Sequence, residues 1–219
     1  MTPQEARAIT YNLGEPSKMP GYSFGIPASR CKLGAILKKQ DGTVCSECYA
    51  DHGRYVFDNV QNALEKRFQG LRHPQWVEAM IIMLSQTHVR RTGYFRWFDS
   101  GDLQSVEMLG KICKVAEGTK FLRHWMATRE HTILRDYVES GESIPHNLVI
   151  RLSATKIDGR TPTNWKWTST VFSPQPRPSA IMPNNRLGKI CRARSNGNTC
   201  GTCRACWSHR VQNVSYPLH

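Results

Sequence analysis

The feature that most constrains this chain is an alternation that runs from Gly93 to Thr155. "GYFRWF" (93–98) has the aromatic make-up of a strand and runs straight into "DSGD". Residues 104–116 carry apolar side chains at helical spacing, and "KFLRHWMAT" (120–128) reads as a second strand. "REHTILRDYVES" (129–140) reads as a helix closed by Gly141, and "NLVIRLSAT" (147–155) as a third strand. Strand–helix–strand–helix–strand is the pattern of βαβ units, and it predicts an α/β fold around a parallel sheet.

In parallel α/β folds the carboxyl ends of the strands carry the site. Asp99, Ser100, Asp102, Thr128, Arg129, Ser153 and Thr155 all fall at or just beyond those ends. For Ser100 and Asp102 a second reading stands beside this one, because "DSGD" before a helix also suits an N-terminal cap. Two further helices are expected upstream. One has Phe57, Val60, Leu64 and Phe68 on one face; the other runs from Gln75 to Ser85 with Trp76, Val77, Met80, Ile81 and Leu84 inward. The first thirty residues, punctuated by glycine and proline, read as irregular. After "WTSTVF", a plausible strand, the chain reads as irregular again and needs something besides a core to hold it.

The cysteines supply a candidate. Cys31, Cys45 and Cys48 form a C-x13-C-x2-C group, and Cys191, Cys200, Cys203 and Cys206 form C-x8-C-x2-C-x2-C. Cys113 stands alone on the apolar face of the 104–116 helix and reads as a buried structural thiol. Structural zinc favours paired CxxC knuckles. The closely spaced distal run favours a 4Fe–4S cluster, with zinc as the alternative. Gly197 and Gly201 would let the backbone turn about it, and His209 lies close enough in sequence to replace a ligand. The proximal trio leaves two options open. His52 completes a Cys3His zinc site, or a cluster held by three thiolates keeps one iron open for substrate or cofactor.

Charge adds a partner class. The formal net charge is +13, and residues 151–219 hold eleven Lys or Arg against the single acid Asp158. Such a segment would attract DNA, RNA or a nucleotide, unless it is simply a solvated basic surface. The longest apolar runs are too short to cross a bilayer, and the N-terminus has no signal-peptide core. A cytoplasmic protein without a membrane partner is expected.

"CSECYA", "FRWFDSGDL", "MATRE", "NLVIRLSA" and "CGTCRACW", with "SYPLH" behind it, carry a family resemblance from about residue 30 to the C-terminus. The chain resembles the bacteriophage gene product 88 domain family. "CSECYA" together with the βαβ rhythm is similar to the radical S-adenosylmethionine (radical SAM) superfamily. There, three cysteines in a loop after the first strand hold a 4Fe–4S cluster, and an aromatic residue neighbours the last cysteine. The usual loop is C-x3-C-x2-C; here the first gap is thirteen residues.

The resemblance implies a partial parallel (β/α) barrel over 1–170 and a basic, cysteine-rich metal-binding extension over 171–219. It implies a 4Fe–4S cluster on Cys31, Cys45 and Cys48 with an open iron for S-adenosylmethionine, an electron donor, and host cytoplasm as the location. Tyr49, Ser100, Asp102, Thr128, Arg129 and Ser153 become candidate cofactor contacts, and the distal cysteines a second cluster. The substrate class includes nucleic acid and nucleotides. Two other readings stay open: a non-catalytic iron–sulfur or zinc protein binding nucleic acid on a degenerate version of the fold, and a metal-dependent nuclease using Asp99 and Asp102.

Overall fold

The computed structural model describes residues 1–174 and 188–218. Helix α1 (Pro3–Thr10) opens the chain, where an irregular start was expected. Thr2 and Glu5 form a reciprocal capping box, which satisfies the first free amides of the helix. Strand β1 (Tyr22–Phe24) follows, also within the stretch expected to be irregular. A long segment then carries the proximal cysteines, with helix α2 (Lys32–Leu37) and two short 3-10 turns at Tyr49–Asp51 and Gly53–Val56. Helices α3 (Asp58–Gly70), α4 (Trp76–Ser85) and α5 (Thr87–Arg90) lead back to the sheet.

The alternating region forms as expected: β2 (Tyr94–Trp97), α6 (Val106–Gly118), β3 (Arg123–Thr128), α7 (His131–Glu139) and β4 (Leu148–Ile157). Strand β5 (Thr168–Phe172) straddles the expected boundary at residue 170. Beyond it, β6 (Lys189–Ile190) and β7 (Asn213–Pro217) join the same sheet. All strand pairs are parallel, in the order β1-β2-β3-β4-β5-β7-β6. The proline-rich stretch read as irregular lies, for 175–187, outside the described residues.

The two faces of the sheet differ. Phe24, Phe95, Trp97, Met126, Leu148, Ile150 and Leu152 join Trp76, Met80 and Leu84 of α4 and Leu109 and Ile112 of α6 in one core. The rings of Phe24, Trp76 and Trp97 pack on one another at centroid separations of 5.4–6.2 Å. Burying each such side chain contributes roughly 1.5–3 kcal/mol. Cys113 lies inside this core, as its helix position suggested.

The opposite face presents Tyr94, Arg96, Trp125 and Arg151, and the C-terminal segment lies across it. Trp207 meets Tyr94 and Trp125 edge-on at 5.2 and 5.3 Å and donates its indole N–H to the carbonyl of Phe95 (2.9 Å). Both faces of the central strands are therefore covered, and the first seven residues of β4 are buried without alternation.

Candidate cysteine and strand-edge site

Because β1 and β2 are parallel neighbours, the loops leaving their carboxyl ends start side by side. The loop after β2 is tied back to β1: Phe98 N donates to the Phe24 carbonyl (2.6 Å) and Ile26 N to the Ser100 carbonyl (3.0 Å). Phe98 holds a φ of 55°, a left-handed conformation that costs a non-glycine residue about 1–3 kcal/mol. Gly101, at φ 80°, is required there, since a Cβ would collide with Ile26.

Asp102 does not cap α6. Ser105 does, its Oγ accepting from Met108 N (3.1 Å). Asp102 instead reaches the end of β3, where Oδ2 accepts from Arg129 N (3.0 Å) and Oδ1 from Leu103 N (2.8 Å). Its carboxyl is raised by burial, against the hydrogen bonds from Thr128, Arg129 and Leu103.

The proximal cysteine loop hangs over this edge. Val44 N donates to the Thr155 carbonyl (2.9 Å), Thr43 bridges Lys156, and Leu33 N donates to Glu130 Oε1 (3.0 Å). Tyr49 donates to the Asp99 carbonyl (2.6 Å) and accepts from Arg96 Nη2 (2.9 Å). Tyr55 donates toward the Asp99 carbonyl and carboxylate at 3.2 Å. Gly34 packs tightly against the cysteines: a Cβ there would stand 2.8 Å from Cys31 Cβ, 3.6 Å from Cys31 Sγ and 3.8 Å from Cys45 Sγ.

Burial pushes the Cys31 thiol up to about 12, and Asp102, Cys48, Cys45 and Glu130 push the same way. Burial also raises Cys45, opposed by Arg129. Three thiols and the carboxyls of Asp99, Asp102 and Glu130 thus crowd one edge. Asp99 Oδ1, Ser100 Oγ, Arg96 Nε and Arg129 Nε are buried there without a hydrogen-bond partner among the described residues.

Among the described residues no group of three or more His, Cys, Asp or Glu side chains is drawn together as ligands of a single ion. A cubane cluster is larger than one ion and takes its thiolates at separate corners. The soft donor set of three neighbouring thiols fits such a group.

Of the expected cofactor contacts, Tyr49, Ser100, Asp102, Thr128 and Arg129 gather at this edge together with the strand-end residue Asp99, while the Ser153 hydroxyl is taken by Ser169 Oγ across β4–β5 (2.8 Å). His52 is exposed at the end of the Tyr49–Asp51 turn. Glu130, Tyr55 and Arg96 belong to the site and escaped the sequence reading. Glu130 was within reach of it, being the last residue of "MATRE".

The distal cysteines belong to the segment that covers this face, with Cys191 directly after β6 and Cys206 beside Tyr216 of β7. Cys191 N donates to the Ser215 carbonyl (2.8 Å), Cys200 N to the Lys18 carbonyl (2.8 Å) and Cys203 N to the Cys200 carbonyl (2.9 Å). Gly197 and Gly201 take φ of 59° and 50°, so both turns use conformations that favour glycine. Cys206 Sγ lies 3.1 Å from the Tyr216 hydroxyl. Burial pushes the Cys206 thiol up to about 12; the Tyr216 contact and Arg151 act against it, while Cys191 and Cys200 add to it. All eight cysteines are free thiols.

The fold and these two groups define an α/β protein with one parallel sheet and cysteine-rich loops laid over it. The family model described as Gene product 88 matches residues 2–209, and the chain belongs to that bacteriophage family. No curated protein and no solved structure matches it. No helix of the described residues is long and apolar enough to cross a membrane.

Proposed function

We propose that this protein is an iron–sulfur protein of the radical SAM type. The observation that carries the reading is the position of Cys31, Cys45 and Cys48. They lie in the loop that follows the first strand, over the carboxyl edge of a parallel sheet, with buried unpartnered polar atoms beside them. A partial barrel is supported by Arg96 on β2 and Tyr216 on β7: the guanidinium charge bears on the Tyr216 hydroxyl although three strands lie between theirs. In a flat sheet four strand spacings would separate their strands by about 19 Å.

On this reading Cys31, Cys45 and Cys48 hold a 4Fe–4S cluster and leave one iron open. When bound, such a cluster supplies one-electron cleavage of S-adenosylmethionine, given an external electron donor. The chain's own residues bind, orient and exclude water. Arg129 offers a positive charge and Ser100 a hydroxyl to an amino-acid-like ligand, Asp102 and Thr128 brace the edge through their own hydrogen bonds, and Tyr49 with Arg96 closes the loop onto the sheet. Ser153 contributes by pairing with Ser169. Cys191, Cys200, Cys203 and Cys206 hold a second, fully ligated cluster, with the Tyr216 hydroxyl on one sulfur. Host cytoplasm, where thiols stay reduced, suits this chemistry.

The test is electron paramagnetic resonance of anaerobically prepared, reduced protein with and without S-adenosylmethionine. The reading predicts a changed spectrum on addition, and unchanged iron content in His52→Ala. No spectral change, with metal lost from His52→Ala, would replace it with a closed Cys3His site.

A further inference from the structure

We propose that the amino edge of the sheet carries a base-stacking site for single-stranded nucleic acid, built on His146, His209 and Trp167. These residues lie just before β4, β7 and β5, three strands that adjoin in the sheet. The loops entering neighbouring strands thus bring three rings together. His146 and His209 stack with centroids 4.8 Å apart and planes 3° from parallel. Trp167 meets His209 edge-on at 4.7 Å and fixes it by donating its indole N–H to the His209 carbonyl (3.0 Å). His146 is the exposed end of this stack.

Cations surround the rings. Lys166 Nζ stands 5.0 Å from the Trp167 ring centroid, Arg210 follows His209 directly, and Arg123 opens β3 beside β4. All three are exposed, and among the described residues none of them forms an ion pair. Burial lowers the pKa of His209, and His146, Lys166, Arg151 and Arg123 lower it further.

Stacking faces interleaved with unpaired cations are what a single strand needs: π-surfaces for bases and positive charge for phosphates. A duplex keeps its bases stacked on one another and offers only its backbone to such a surface. The site lies at the opposite end of the strands from the proximal cysteines, so it does not rest on the iron–sulfur reading.

The experiment is fluorescence anisotropy of a labelled oligothymidylate with the full, metal-replete chain, titrated at several salt concentrations. Binding should weaken steeply with salt, and duplex DNA of equal length should compete poorly. His146→Ala should weaken binding by at least about fivefold. Lys166→Ser should lower the salt slope by about one. Iron content, measured on each variant, should stay at the wild-type level, which separates this result from any failure of the cysteine chemistry. Three outcomes would overturn the proposal: no binding at low salt, equal competition by duplex, or unchanged affinity in His146→Ala and in the Arg123→Ser/Lys166→Ser double variant.

Discussion

Arg151 of β4 donates from Nε to the carbonyl of Cys206 at 3.1 Å, one of six bonds from a single buried guanidinium, five of which hold the chain between Ala205 and Gln212 and the sixth β5. The other acceptors are the carbonyls of Thr168, Val211, Gln212, Ala205 and Ser208, at 2.8–3.3 Å. A fully buried charge satisfied only by carbonyls fixes backbone positions that apolar packing alone would leave free. Arg151 thereby attaches the loop before β7 to the middle of the sheet.

Arg151→Met should therefore cost more than its change in volume suggests. Several buried carbonyls lose their donor at about 1–3 kcal/mol each, so a loss of at least about 3 kcal/mol is expected. Urea denaturation measures it. Cys206 should also become more accessible to thiol reagents under native conditions.

Gly101→Ala should destabilise the chain by about 1–3 kcal/mol, from a φ of 80° and the collision with Ile26. The relaxed turn would carry Asp102 away from Arg129 N. Thermal denaturation tests the first effect, and the Arg129 amide chemical shift tests the second.

His124 is buried, stacked on Trp97 at 6.1 Å, with Nε2 2.9 Å from Thr119 Oγ1. Burial lowers its pKa to about 3. The unfolded chain binds this proton near the ordinary value of 6.5 and the folded chain does not, so the contribution is full above about 6.5 and is lost as pH falls toward 3. The slope contributed is up to about 1.4 kcal/mol per pH unit. Nuclear magnetic resonance should show no titration of this ring between pH 7 and 4. A midpoint near 6.5 would contradict its burial as a neutral ring.

The central β2–α6–β3–α7–β4 run was legible because period and composition agree throughout it. Strand β7 was not, for a physical reason. Its Asn213 and Ser215 face Thr168 and Thr170 of β5 in a buried polar ladder, with Thr168 Oγ1 3.0 Å from Asn213 Oδ1 and Thr170 Oγ 2.8 Å from Ser215 Oγ. That pairing inverts the apolar signal by which a strand is recognised. Strand β1 has only three residues, and its partner β2 lies some seventy residues on. Helix α1 was readable, since T-x-x-E at Thr2 and Glu5 is a capping-box signature, but the glycines and prolines beyond it dominated the reading.

At the site, the cysteines and strand-end polar residues were legible from residue type and spacing. Arg96 and Arg151 were not. Each is a charge within a strand, and only the fold reveals that the face they point to is covered by the cysteine segments. The cap reading of Asp102 failed because Ser105, three residues later, starts the helix.

The most direct measurement is iron, acid-labile sulfide and zinc per chain after anaerobic purification and cluster reconstitution. The account predicts two clusters, so about eight irons and about eight sulfides in the wild type. About four of each should remain in a Cys45→Ala/Cys48→Ala variant and in a Cys203→Ala/Cys206→Ala variant. A colourless protein that carries zinc without sulfide would contradict it.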